Sequence, residues 1–281
     1  VRFSIHHESV YRYSTPVTFA PHVVRLHPRP DAGRLLAQTI LVEPVPISRI
    51  ERADRFGNTV SEVTFPSVSA SVLSIASTLD VETRPPQVLA HARSLDLPAL
   101  PWTAPPSRED LGAYRAVEPS WAVHAFAEDL RSTANGRPIA FLEALTRAIF
   151  ERTDRGIRTE GAAQPPDVTL EQRRGACRDV ALLFLACCRS QGMAARFVSG
   201  YQAEAQTPDG RSYLHAWAEV YVEGAGWCGW DAMHGIAAGE GHLALCAAPD
   251  QGSTMPVEGG FTFSGSNVVS TLDWSLRIAT A

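Results

Sequence analysis

Apolar and polar residues follow two different periods along this chain, and the change of period divides it. From residue 1 to about 84 the pattern is short and strand-like. Phe3 and Ile5, then Val10, Tyr11 and Tyr13, are followed by Val23, Val24 and Leu26. Further runs occupy Gln38 to Val42, Thr59 to Phe65 and Val72 to Val81. Asp54-Arg55-Phe56-Gly57-Asn58 is a turn signal, with Gly57-Asn58 at a hairpin corner. Short strands with regular turns predict a β-sandwich or a partly open barrel. His6-His7 reads as an ordinary strand pair rather than a metal pair.

Prolines then dominate. Pro85-Pro86, Pro98, Pro101, Pro105-Pro106 and Pro119 mark residues 85–119 as a stiff, irregular connector, and Trp102 and Tyr114 predict that it packs on a domain. The period lengthens beyond it. Ser120 is placed to cap a helix whose face is Val123, Phe126, Ala127 and Leu130. Pro138 opens a second helix with Phe141, Leu142, Leu145, Ala148 and Ile149. A third carries Val180, Leu183, Phe184, Cys187 and Cys188 at core-facing spacing, with Gly192 as its stop.

Period two returns at Ser212–Val222. His215, Trp217, Glu219 and Tyr221 fall on one face of that strand, and Ala216, Ala218, Val220 and Val222 on the other, which suits burial. The turn Glu223-Gly224-Ala225-Gly226 leads into Trp227-Cys228-Gly229-Trp230-Asp231, predicted to pair back as a hairpin. Phe261-Thr262-Phe263 and Ser270 to Ile278 resume the strand pattern.

These elements put chemistry in three places. Cys177 stands in the first turn of the third helix, where unpaired backbone N–H groups and the positive end of the helix dipole favour a thiolate. His215 on a strand and Asp231 on its hairpin partner complete a possible relay of nucleophile, proton acceptor and orienting carboxylate. Each alone has a plainer reading. A free cysteine usually fills space, as Cys187, Cys188, Cys228 and Cys246 are read to do. His215 alone is a strand histidine, and Asp231 alone a turn residue.

Four segments in order change the weighing. Gly175-Ala176-Cys177-Arg178-Asp179, Ala195 through Tyr201, His215-Ala216-Trp217-Ala218-Glu219-Val220 and Gly229-Trp230-Asp231 resemble the bacterial transglutaminase-like family, within the papain-like cysteine enzymes. His6 through Val17, Leu26-His27-Pro28-Arg29 and Asp54 through Asn58 resemble that family's N-terminal β-domain. The resemblance implies an α+β fold: a papain-like transglutaminase core preceded by an antiparallel β-sandwich-like domain. The expected division is 1–84 for the β-domain, 85–119 for the connector, 120–248 for the core and 249–281 for a C-terminal strand segment that rejoins the first sheet. It also implies that Cys177 is the nucleophile, His215 the general base and acid, and Asp231 the orienter. The expected chemistry is acyl transfer through a thioester on a peptide or glutamine amide. Hydrolysis is favoured as its outcome, transamidation to a primary amine is the alternative, and a noncatalytic protein-binding scaffold is the reading of another class.

Composition narrows this only a little. A net charge of −5 and a pI near 6.0 give no reason to expect nucleic acid or an anionic membrane, so a peptide or protein substrate is the expected partner. All 25 Lys-plus-Arg positions are arginine, so the chain offers no lysine to a crosslinking reaction. Five cysteines without a dense framework predict a reducing compartment, and the expected location is cytoplasmic. The strand-like start at Val1–Ile5 does not read as a secretory signal. His215, His234, His242, Cys228 and Cys246 lack metal-ligand spacing, and no acidic calcium loop is seen, so no metal or cofactor is expected.

Two departures from the family stand out. Ala232-Met233-His234-Gly235 follows Asp231 where relatives commonly have Pro-Thr-Asn-Gly, so His234 could touch the cleft, add a second titrating group or point outward. Ala248-Pro249-Asp250-Gln251 lacks the Gly-Arg-Asp-Tyr type of sequence. Gln164 and Gln172 are chemically able to be a second oxyanion donor, yet equally read as loop residues. Asp179 is read first as structural, favoured at a helix start.

Overall fold

The computed structural model describes residues 1–281 except 85–86, 104–110, 117, 119, 204–206, 208 and 266. Pro85, Pro86, Pro105, Pro106 and Pro119 of the expected connector therefore lie outside the described residues. The β-rich part comprises β1 (Arg2–Val24), β2 (Arg34–Glu43), β3 (Ser48–Ala53), β4 (Thr59–Thr64) and β5 (Ala70–Glu82). Helices α1 (Val88–Ser94), α2 (Gly112–Arg115), α3 (Trp121–Thr133) and α4 (Pro138–Arg152) follow. Next come β6 (Asp154–Arg155), α5 (Pro166–Gln172), β7 (Arg174–Gly175) and α6 (Cys177–Ser190). The remainder is β8 (Ala195–Gln202), β9 (His215–Val222), β10 (Gly226–Asp231), β11 (Ile236–Ala237), β12 (His242–Ala248), β13 (Val257–Thr262) and β14 (Ser270–Thr280).

The architecture is α+β, as expected. A seven-stranded antiparallel sheet runs β2-β5-β1-β4-β3, with β13 and β14 also paired to β1. It is a half-barrel built on one long strand. The pattern predicts separate short strands at Phe3–Ile5, Val10–Tyr13 and Val23–Leu26, but β1 is continuous over 23 residues. Its register with β5 shifts between Arg12 and Val17, around Pro16, and there the strand passes from β5 and β14 to β4 and β13. Proline donates no ladder hydrogen bond, so a shift there is the cheap place to bend.

The second sheet, β11-β10-β9-β8-β12, is covered on both faces. Ala216, Ala218 and Val220 of β9 pack into one cluster with Val123, Phe141, Leu145, Leu183 and Phe184 of the helices. Tyr201, Leu243 and Leu245 project the other way, into the core of the half-barrel with Phe3, Ile5, Leu73 and Ile75. Alternation therefore predicts one buried face for β9 where the structure buries parts of both. The connector also differs from expectation. Residues 88–94 form a helix, because Val88, Ala92 and Leu95 meet Val222 and Cys228. Trp102 packs against the helical core, and Tyr114 lies edge-on to Trp227, with ring centroids 5.0 Å apart.

A polar latch joins the two units. Asp54 accepts the N–H groups of Phe56 and Asn58 at 2.8 and 2.9 Å, shaping the turn between β3 and β4. Gly57 takes φ +78° at its corner. The turn presents Asn58, fully buried, to the backbone of β12. Its Nδ2 donates to Ala247 O at 3.0 Å, and its Oδ1 accepts Ala247 N–H at 2.8 Å and Arg29 Nη1 at 2.6 Å. The side-chain amide thus imitates a neighbouring strand. Among the described residues no helix is long and apolar enough to cross a membrane.

Asn58→Ala leaves the Ala247 backbone and the Arg29 guanidinium without these partners in a dry interface. It should destabilise the fold by about 3 kcal/mol. A lowered midpoint in urea unfolding is the expected reading, and an unchanged midpoint would show that the latch contributes nothing.

Candidate active site

Helix α6 begins where β7 ends. Ala176 is its extended N-cap, and Cys177 is the first helical residue. Asp179, buried and three residues past the cap, accepts the Ala176 N–H at 2.8 Å through Oδ2 and the Gln164 N–H at 2.8 Å through Oδ1. Arg158 pairs with the same carboxylate. Asp179 is thus structural: it holds the start of the helix and the preceding loop together. Gly175 belongs here because a Cβ would lie 3.0 Å from that of Asp179 and 3.1 Å from Thr169 Cγ2. Cys177 N–H sits in the first turn, where no intrahelical acceptor exists. Gly192, at φ +78°, follows the C-cap, as the stop signal predicts.

His215 opens β9, opposite Gly200 of β8. The hairpin between β9 and β10 pairs Trp230 with Ala218 and so carries Asp231 to the same end of the sheet. His215 Nε2 donates to Asp231 Oδ2 at 2.8 Å, and Cys177 lies close enough to the imidazole to help raise its pKa. With Nε2 engaged by the carboxylate, Nδ1 is the nitrogen left for the thiol. The structure brings all three sequence-predicted residues together.

Two further imidazoles converge on the same oxygen. His234 Nδ1 lies 2.7 Å and His242 Nε2 2.9 Å from Asp231 Oδ2. Asp231 Oδ1 accepts the N–H groups of Met233 at 3.0 Å and His234 at 3.3 Å. His242 Nδ1 accepts the Gly239 N–H at 3.2 Å, which leaves Nε2 as the protonated nitrogen that donates to Asp231. Ligand atoms of His215, Asp231 and His234 come within 4.8 Å of one another, close enough to consider a metal. Their nitrogens instead point at one shared carboxylate oxygen, so they form a hydrogen-bonded cage. Cys228 and Cys246 lie elsewhere, packed with Val222 and bonded toward Ser253.

Electrostatics follow from this geometry. Burial alone would push His215 down, but the charge and hydrogen bond of Asp231, with Cys177 beside it, raise it to about 10. Burial opposes ionisation of Asp231, yet the His215 charge and three imidazole hydrogen bonds hold it well below the usual carboxylate range. The Cys187, Cys188, Cys228 and Cys246 thiols are all pushed up by burial, and Cys177 alone among the five is only partly buried.

Cys177 and His215 line two cavities. One, of about 250 Å³, is walled by His7, Tyr11 and Trp274 of the half-barrel and by Tyr213. The other, of about 290 Å³, is bordered by Gln202, Arg155 and His234. Gln164 and Gln172 line neither. His7 of the expected strand pair donates or accepts at Tyr201 Oη over 2.9 Å, and burial lowers it to about 4.

Two family models match: the bacterial transglutaminase-like N-terminal region over residues 3–82, and the transglutaminase-like superfamily core over residues 124–232. The chain belongs to the transglutaminase-like superfamily. Within it, this transglutaminase-like chain is 28% identical over 305 residues to an uncharacterised protein of Mycobacterium tuberculosis, covering 99% of this chain and 92% of that protein. A second uncharacterised protein, from Mycobacterium leprae, is 25% identical over 295 residues, covering 99% of both. The same fold occurs in a crystal structure of a Cytophaga hutchinsonii protein provisionally assigned as a cysteine protease. That match has a TM-score of 0.72 and 20% identity, and spans 99% of this chain and 90% of that one.

Sequence groups His242 with His215 and His234 only in a metal-ligand set that the spacing rejects, and its bond to Asp231 is not anticipated. It opens β12, whose seven residues are all buried and therefore show no alternation. A histidine at the start of an unbroken apolar run was the one available signal.

A raised imidazole has a signed consequence for stability. The contribution of charged His215 is fully present below its unfolded value of 6.5 and is lost as pH rises through about 10. That of Asp231 is present above its unfolded value of 3.8 and is lost as pH falls. Melting temperature should decline between pH 6.5 and 10, and the decline should flatten in His215→Gln. Identical profiles for the two proteins would refute the ion pair. Iodoacetamide at neutral pH should label Cys177 well before the other four cysteines, read by peptide mass spectrometry.

Proposed function

We propose that this chain is a cysteine-dependent acyl-transfer enzyme that hydrolyses a peptide or glutamine amide through a thioester. The observation that carries the reading is the Cys177–His215–Asp231 chain of contacts at the start of α6, with Cys177 and His215 bordering two cavities. Membership of the superfamily supports it.

The steps follow from the atoms. The Cys177 thiolate attacks the amide carbonyl, and the developing oxyanion meets the Cys177 N–H, free at a first-turn position. His215, charged beside Asp231, passes its Nδ1 proton to the departing amine, and a thioester remains. Asp231 keeps the Nε2 proton in place and so selects the tautomer whose Nδ1 faces sulfur. Water then attacks the thioester, giving a carboxylic acid and restoring the thiolate. Partial exposure of Cys177, which borders both cavities, supports water as the acceptor.

Cys177→Ala should abolish amide hydrolysis while leaving the melting temperature within about 2 °C, because the site is partly open and little packing is lost. Incubating the wild type with a glutamine-peptide library should yield a thioester at Cys177 in intact-protein mass spectra. Chasing with water against a primary amine then reports the acceptor. Carboxylic acid as the main product supports hydrolysis, amine adducts would establish transamidation, and activity surviving in Cys177→Ala would remove the nucleophile assignment.

A further inference from the structure

Asp231 Oδ2 receives three imidazole N–H groups, but one carboxylate compensates only one imidazolium. His242 is out of that contest, since its Nδ1 already accepts the Gly239 N–H and a second ring proton would face that donor. His215 and His234 remain, with ring centroids 5.0 Å apart. His215 meets Cys177. His234 binds Asp231 through Nδ1, while its Nε2 has no partner among the described residues and its ring borders the second cavity beside Cys177. That cavity also holds Arg155, whose guanidinium reaches the Met233 carbonyl at 3.4 Å and lies over the Phe150 ring. In the tautomer that donates Nδ1–H to Asp231, Nε2 is the ring's acceptor.

We propose that His234 is a second proton acceptor of the site, serving the step in which the acyl acceptor attacks the thioester; this rests on the thioester reading above. Once the amine has left with the His215 proton, both imidazoles are neutral and Asp231 is uncompensated. Water entering the second cavity loses one proton to His234 Nε2 as its oxygen bonds to the acyl carbon. The tetrahedral adduct then collapses, the carbon–sulfur bond breaks with its electron pair going to sulfur, and the carboxylic acid departs. Asp231 holds the His234 imidazolium as it held that of His215. His234 returns its proton to solvent, and His215 Nδ1 takes one up to restore the resting pair. Two imidazoles on one anion thus divide the two half-reactions: His215 serves the leaving group, and His234 serves the incoming one.

The test separates those half-reactions with p-nitrophenyl acetate as the acyl donor. The wild type should release a burst of nitrophenolate equal to the enzyme present, followed by slower turnover. His234→Asn keeps an amide N–H to offer Asp231 but no base. Its burst should match the wild type in amplitude and stay within about twofold in rate, while turnover falls at least about tenfold and acetyl-Cys177 accumulates in intact mass spectra. In His234→Ala, added imidazole should shorten the lifetime of acetyl-Cys177 in intact mass spectra. Equal slowing of both phases would make His234 a structural prop and overturn the proposal, as would unchanged turnover. A Cys177→Ala variant that turns the ester over as fast as the wild type would instead remove the thioester itself, a failure visible before any His234 variant is made.

Discussion

A fully buried carboxylate is the constraint around which this molecule is organised. Removing Asp231 from water costs several kcal/mol, and that cost is tolerable only because five N–H groups meet its two oxygens. Those donors come from the start of β9, the start of β12 and the turn after β10. All three must therefore end at one edge of the second sheet, in register. Gly200 shows how closely that edge is packed: a Cβ there would lie 2.6 Å from the Trp217 ring, which itself sits edge-on to His242. The sheet order, the turn lengths and the small residues beside Trp217 all serve one anion.

The half-barrel makes a second demand on the same sheet. It covers the face opposite the helices and supplies Tyr11 and Trp274 to the cleft, so the cavity wall belongs to both units. Beside the apolar contact of Tyr201, Leu243 and Leu245, the Asn58 amide bonds to Ala247 and the Arg29 N–H donates to Ala244 O at 2.9 Å, and hydrogen bonds fix a register where apolar contact alone tolerates sliding. Two segments that resembled the family's β-domain, Leu26–Arg29 and Asp54–Asn58, are thus the parts that grip the core.

Much of this was legible in the residues. The one-sided 3.6 period from Val180 to Cys188 located α6 and therefore Cys177, and the Glu223–Gly226 turn was short enough to make Asp231 the hairpin partner of the His215 strand. What escaped was whatever depends on burial from two sides. β12 has no alternation because both its faces are covered, so neither the strand nor the bond from His242 to Asp231 is legible in the residues. β1 looked like separate strands because its irregularity at Pro16 marks a change of partners rather than an end. Helix α1 was hidden among prolines, and its reason for forming, the Val222 and Cys228 surface, lies some 130 residues away. The three orientations left open for His234 could be resolved only by the turn geometry that folds its ring back onto Asp231.

The pairing of β1 with both β5 and β14 has a bearing on how the molecule is made. The strand that begins the half-barrel waits for partners at Ser270–Thr280 and Val257–Thr262, so its sheet closes only after the intervening helices and second sheet have been synthesised. Contacts of such long sequence separation form late and slowly. The wall carrying Trp274 is therefore the last part of the cleft to arrive. Until those strands are made, Cys177 has only part of the wall that borders it in the finished molecule.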